Sequence, residues 1–390
     1  MLRFFSPSYI SAGFVAVLVG YTGAGAIVFQ AANAAGASPE QISSWLWAVG
    51  LGMGISSLGL TLYYRQPVLI AWSTPGAALL ATSLPGIPMG DAIGAFIFSS
   101  VLLTLCGVTG LFQKIMAFVP QSLASALLAA VLLRFGLDAF VALEADVLMV
   151  GAMVIVFLAA KQFLPRYVIP LTVLTGIVIA LAGGQITAVE AEFTLTRPVF
   201  VMPTFEITTL IGVGIPLFIV TMASQNVPGI AALRAHGYDV PASPLIGWSG
   251  FTGIVLAPFG GFAFNLAAIT AALCMSPEVH PDPARRYPAV IWASVFYCLA
   301  GLFGAAITAL FIAFPAALVM AIAGLALLST IANSLDAALK VEAERDAAIL
   351  TFAVTASGMT LLSIGAPFWG LVIGMSAYLF RKHFTQAIKE

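Results

Sequence analysis

The stretch PVLIAWSTPGAALLATS, residues 67–83, lies inside a long apolar region yet reads as the beginning of a helix. Thr74 can accept hydrogen bonds from exposed backbone N–H groups, and Pro75 suits a first helical turn. Val68, Leu69 and Ile70 before it favour an extended chain. The reading is therefore of a helix that starts partway through an apolar segment.

The rest of the chain sets the context. Of 390 residues, 61% are hydrophobic and only 8% charged, whereas a soluble domain carries about 25% charged residues. Apolar runs separated by short polar links recur along nearly the whole length, the pattern of an all-α polytopic membrane protein embedded in a lipid bilayer. A membrane β-barrel would alternate polar and apolar residues in short segments, and this chain does not. Arg3 precedes an apolar run that lacks a small-residue cleavage site, so that run is expected to be the first span. A net charge of −1 gives no footprint for nucleic acid. Cys106, Cys274 and Cys298 all fall in apolar segments, with neither disulfide nor metal spacing, and are expected to be buried side chains.

Fourteen crossings are expected, near 9–35, 41–63, 67–84, 90–111, 118–135, 145–161, 167–187, 207–233, 243–257, 258–276, 286–312, 315–333, 346–364 and 366–381. On this map thirteen of the fifteen Lys and Arg residues fall on the side of the N-terminus, and only Arg134 and Arg197 on the other. Such a bias places both termini in the cytoplasm.

The two halves echo each other. VPQSLASALLAAVLL from Val119 and FPAALVMAIAGLALL from Phe314 are 195 residues apart, and the same shift relates Gln30 to Gln225. Pro170 and Pro367 follow at a shift of 197. Seven is odd, so residues 1–190 and 191–390 are expected to be two inverted seven-span repeats, a common plan among secondary transporters. The counterpart of the opening stretch is span 10, APFGGFAFNLAAITAAL from Ala257, with an irregular Gly-rich first half. There Asn265 is expected to cap a second half-helix, making Thr74 and Phe264 equivalent starts.

Non-helical backbone at membrane depth is tolerated only inside protein or beside a water-filled cavity. Two inverted breaks should therefore meet near the midplane, with half-helix N-termini facing a common space suited to a carboxylate. The expected ligand site comprises Ser73, Thr74, Pro75, Gly76, Gln225, Asn226, Gly260, Gly261, Phe262, Phe264, Asn265 and Gln30. Gln225 lies nine residues before Arg234, roughly 13 Å along a helix. Its amide and that of Asn226 can donate to a carboxylate or steady the broken spans. The phenylalanines around Gly260 and Gly261 can wall an aromatic ligand. No Asp, Glu, Lys, Arg or His lies deep in a span on this map, and no HExxH or Walker A motif is present. Neither metal nor cofactor is expected. Intramembrane hydrolysis or lipid transfer normally needs such groups, so an enzyme acting on lipids is the weaker reading.

AWSTPGAALL at 71–80, TMASQNVPGIAAL at 221–233, AITAALCMSPEVHPDP at 268–283, AGLALLSTI at 323–331 and ERDAAILTFAVTASG at 344–358 resemble the benzoate/proton symporter (BenE-type) family over essentially the whole chain. The resemblance implies a carrier of the bacterial inner membrane that moves benzoate or a related aromatic carboxylate with protons. It also implies a uracil-permease-like fold, in which a core domain of spans 1–4 and 8–11 moves against a gate domain of spans 5–7 and 12–14. Homodimers are common in that wider fold. Nucleobase carriers of the fold place acidic side chains in spans 8 and 10. Here Gln225, Asn226 and Asn265 stand in that region, which argues against a nucleobase cargo. The alternative within transport is an anion exchanger or channel-like carrier of the same fold. A proton can travel with the ligand, or on a span-end acid such as Asp91, Glu206 or Asp336.

Overall fold

Apolar helices account for most of this computed structural model, which describes residues 5–111, 120–186 and 195–387. Arg3, Lys114, Val119, residue 187, the repeat boundary at 190/191 and Lys389 lie outside them. The first half contains α1 (Pro7–Ala34), α2 (Pro39–Tyr64), β1 (Ile70–Trp72), α3 (Thr74–Ser83), α4 (Met89–Thr109), α5 (Gln121–Ala145), α6 (Val147–Phe163) and α7 (Val168–Ala182). The second contains α8 (Ile207–Ala235), α9 (Ala242–Leu256), β2 (Phe264–Leu266), α10 (Ile269–Met275), α11 (Pro288–Leu302), α12 (Gly304–Ala313), α13 (Ala316–Leu339), α14 (Arg345–Ala356), the two-residue strands β3 (Thr360–Leu361) and β4 (Ile364–Gly365), and α15 (Ala366–Ala387).

Among the described residues seven helices are long and apolar enough to cross a membrane, or eight if the bent pair Pro283–Leu302 and Gly304–Ala313 is one span. That pair is bent by 65°. Thr196 causes the break: its N–H donates to Leu302 O at 2.8 Å, and its hydroxyl accepts from Ala305 N–H at 2.8 Å. A residue inserted into the helical ladder in this way kinks it. The π-helical segments of α8, Leu210–Gly214 and Met222–Asn226, each run up to a proline two residues on, Pro216 and Pro228. A proline has no N–H for the carbonyl four residues earlier, and the turn widens to accommodate it.

Several expected boundaries move. Span 5 does not stop at 135: α5 continues to Ala145, so Arg134 lies well inside the helix and not at its end, and Asp138 in the helix and not in a loop. The helix carries on because Leu137, Phe140 and Val141 present an apolar outer surface while Arg134 turns to a cavity described below. Likewise α13 extends to Leu339 and takes in Asp336. Span 13 is shorter than expected, since α14 ends at Ala356 and Gly358 turns the chain at φ +65° into β3 and β4.

The helices associate in two sets. One contains α1–α4 and α8–α12, with α4 against α9, α2 against α11 and α12, and α1 against α3. The other contains α5–α7 and α13–α15, with α5 against α13 and α14 against α15. Small residues permit the close approaches: a Cβ on Gly50 would lie 2.6 Å from Gly301 Cα.

Candidate functional site

The opening stretch folds as an extended segment followed by a half-helix. Ser73, not Thr74, is the N-cap of α3: its Oγ accepts from Gly76 N–H at 2.9 Å, with Pro75 in the first turn. The second half-helix, α10, starts at Ile269, not at Phe264, and Asn265 does not cap it. Thr74 and Ile269 are 195 residues apart, the shift that relates the two Pro-led spans. The stretch before α10 is extended because it has a partner. β1 and β2 pair antiparallel, Ile70 with Leu266, Ala71 with Asn265 and Trp72 with Phe264.

This two-stranded ribbon satisfies its backbone without water. Ser73 N–H donates to Ala263 O at 3.0 Å and Ala267 N–H to Leu69 O at 2.9 Å. On its outer edges, Ser57 Oγ accepts from Ile70 N–H at 2.8 Å, Thr61 Oγ1 donates to Val68 O at 3.0 Å, and Asn226 Oδ1 accepts from Leu266 N–H at 3.0 Å. Buried side chains of α2 and α8 thus supply what neighbouring strands would.

Against the ribbon lies a cavity of about 480 Å³, within the usual size of a small-molecule site. Its walls come from both helix sets: Thr74 and Pro75 of α3, Ser224 and Gln225 of α8, Thr270 of α10, Trp72 and Tyr297 on one side, and Gln121, Ser125, Thr330, Asn333 and Ser334 of α5 and α13 on the other. Its polar lining side chains are hydroxyls, amides and the Trp72 indole, and among the described residues no carboxylate, ammonium, guanidinium or imidazole lines it. Gln121 and Asn333 are exposed, so the cavity opens where α5 begins and α13 nears its end.

The expected site residues separate into three groups. Thr74, Pro75 and Gln225 line the cavity, and the Thr74 hydroxyl and Gln225 amide are half-buried there. Ser73, Gly76, Asn226 and Asn265 build the frame behind it: Asn265 Nδ2 donates to Ala263 O at 2.9 Å, and Asn226 steadies β2. Gly260, Gly261, Phe262, Phe264 and Gln30 do not line it. Phe262 is fully buried against Trp45 and Phe96, with ring centroids 5.8 and 5.9 Å away. The aromatic walls are instead Trp72 and Tyr297. The contribution of α5 and α13 was missed, although Thr330, Asn333, Ser334 and Ala337 mark one helical face in an apolar span.

The other end of α10 is held by Arg286, 6% exposed, whose guanidinium donates to Met275 O at 2.7 Å, His280 O at 2.7 Å and Pro281 O at 2.9 Å. Its charge meets the last carbonyl of α10, where the helix dipole is negative.

Ser73 and Thr74 give separable predictions. Ser73→Ala removes the cap and is expected to cost about 1 kcal/mol, read as a lower Tm by thermal unfolding in detergent. Thr74→Val leaves the cap in place, so Tm should hold while the half-saturation concentration for uptake rises. The opposite pattern would show that Thr74 supports the fold and not a ligand.

Two strand-and-half-helix units thus meet beside a cavity within a bundle of helices apolar enough to cross a membrane. The solved structures agree at the level of fold: the transmembrane domain of a cyanobacterium bicarbonate transporter, BicA, matches with TM-score 0.63 at 12% identity over 97% of this chain and 98% of that one. SLC26A9 matches with TM-score 0.57 at 12% identity over 95% of this chain and 65% of its own. The benzoate membrane transport protein family matches residues 3–380, and the chain belongs to it. The inner membrane protein YdcO of Escherichia coli (strain K12) is 51% identical over 97% of each chain. The benzoate membrane transport protein of Acinetobacter baylyi (strain ATCC 33305 / BD413 / ADP1) is 38% identical over 96% of this chain and 95% of its own. The family is one of transporters, and the reading as a lipid-modifying enzyme is set aside.

Proposed function

We propose that this protein is a secondary active transporter that imports benzoate or a related aromatic carboxylate by proton symport across the bacterial inner membrane. The observation that carries this reading is the cavity itself. It joins two aromatic walls, Trp72 and Tyr297, to neutral donors at Thr74 and Gln225, beside the start of α3. A benzene ring fits the first and a carboxyl group the second. Fourteen spans in two inverted repeats, with both termini cytoplasmic, give the cavity its midplane position. The set α1–α4 with α8–α12 is the core, and the set α5–α7 with α13–α15 is the gate. Rocking one against the other alternates access, and the opening at Gln121 and Asn333 then faces the cytoplasm. A homodimer is the assembly proposed.

The proton travels with the ligand or is shared with it at the site. An unpaired carboxylate is costly in a cavity without a cation, and protonation removes the charge. Glu206 is a poor separate carrier. Hydrogen bonds from the Thr208 hydroxyl and Thr209 N–H hold its carboxyl below the usual range. A depressed folded pKa means its stabilising contribution is present above the ordinary carboxylate pKa and fades as pH falls through the lower value. Glu206 therefore stays ionised at neutral and mildly acidic pH.

In proteoliposomes, an inward proton gradient is expected to drive benzoate accumulation without internal anion. Neutralising Asp91, Glu206 or Asp336 to the amide should leave the accumulation ratio standing, whatever it does to the rate. Loss of accumulation with exchange preserved would make that residue the proton carrier. An absolute need for internal anion would favour the exchanger.

A further inference from the structure

A second cavity, about 530 Å³, lies at the other end of α3. The first cavity touches Thr74 and Pro75, and the second touches Thr82 and Ser83. Between them Ala77, Ala78, Leu79 and Leu80 are fully buried and belong to neither wall. The same relation holds along α5. Gln121, Ala124, Ser125 and Leu128 line the first cavity, and Val131 and Arg134 continue that face, at helical spacing, into the second. One stripe of α5 and one half-helix thus run from one space to the other.

Arg134 is the one basic side chain on the wall of this second cavity. It is exposed, and among the described residues its guanidinium has neither an ion pair nor a hydrogen bond within the protein. The two acids facing the same space are occupied locally. Asp91 accepts from the Thr204 hydroxyl, and Glu206 accepts from Thr208 and Thr209. A free guanidinium suits a carboxylate, with its planar fork of donors. Two carboxylates beside it leave the space net negative, a surrounding that tolerates one added negative charge far better than two.

We propose that this second cavity is a capture site for monocarboxylates, in which Arg134 receives the anion before it enters the first cavity and Asp91 discriminates against dianions. The inference rests on the transport reading above. On the basic-residue asymmetry the site faces the periplasm, and the carboxylate meets it during import. It acts on encounter and not on the final affinity, because it lies beyond the buried segment of α3.

The test compares labelled benzoate uptake by intact cells with uptake by inverted membrane vesicles, using the full-length protein. Arg134→Gln is expected to lower uptake at subsaturating benzoate about tenfold in cells at low ionic strength. The saturating rate, uptake by inverted vesicles and the benzoate-induced thermal shift should stay close to the parent's. The deficit should shrink in salt as screening shortens the reach of the charge. Arg134→Lys should retain most of the capture. Asp91→Asn should make phthalate, a benzene dicarboxylate, a stronger competitor of benzoate in cells. Equal losses in both directions, no loss, or no change in phthalate competition would overturn the capture site. If Arg134→Gln does not insert, the salt dependence of the parent and the Asp91→Asn competition decide by the same criteria. A parent that neither moves nor binds benzoate overturns the transport reading and this site with it. A parent that moves benzoate while the variants fail these expectations overturns the site alone.

Discussion

Gln225→Leu is expected to raise the half-saturation concentration for benzoate uptake about ten- to a hundred-fold with little change in Tm. The Gln225 amide is half-buried, faces the cavity and makes no hydrogen bond within the protein among the described residues. The ligand reaches the site as its carboxylate and shares the proton there, and a hydrogen bond to a charged group is worth about 1.5–3 kcal/mol, which sets that range. Its neighbour should behave in the opposite way. Asn226 is fully buried, and its Oδ1 holds Leu266 N–H of β2. Asn226→Leu strands a buried donor, so Tm should fall by the equivalent of about 1–3 kcal/mol. Uptake kinetics and thermal unfolding of the two variants, side by side, check the assignment. A Gln225→Leu protein with parental kinetics and a lowered Tm would move Gln225 from the ligand to the frame.

Gly260→Ala should be the most damaging single methyl group in the second half. Gly260 sits at φ +91°, and a Cβ there would lie 1.8 Å from Trp45 Cδ1. The methyl would push Trp45 against Phe96 and Phe262 and disturb the approach to β2. Overpacking and left-handed strain together amount to about 2–5 kcal/mol, a large share of a typical stability. Gly36→Ala is the matched comparison: its φ is +72°, and nothing lies within 4 Å of the added Cβ. That change should cost about 1–2 kcal/mol, from the backbone alone. Monodisperse yield after detergent extraction and Tm give the readout. Equal effects in the two variants would show that the contact with Trp45 relaxes freely.

Composition and periodicity made the membrane class legible, because apolar side chains in lipid need no tertiary partner to be recognised. The break at residues 67–83 was legible too, since Ser, Thr, Pro and Gly act through their own backbone. The choice of Ser73 over Thr74 as cap, and the late start of α10, depend on where the chain turns. That turn is imposed by pairing between residues nearly two hundred positions apart. Asn265 looked like a cap and is a strand residue for this reason.

What the sequence by itself determined was the apolar spans, the two interruptions and the polar residues available near them. Which of those residues reach the ligand space was decided by tertiary structure alone. Gln225 and Asn226 are adjacent and chemically alike, yet one residue's rotation within the π-helical segment sends one to the cavity and the other to the ribbon. The phenylalanines beside Gly260 fill the space behind β2, while Trp72 and Tyr297, from different elements, line the front. Arg134 read as a charge at the outer end of a span because a cation ends an apolar run in one dimension. In three dimensions α5 continues past it, as the residue faces a cavity and its apolar neighbours cover the helix's outer side.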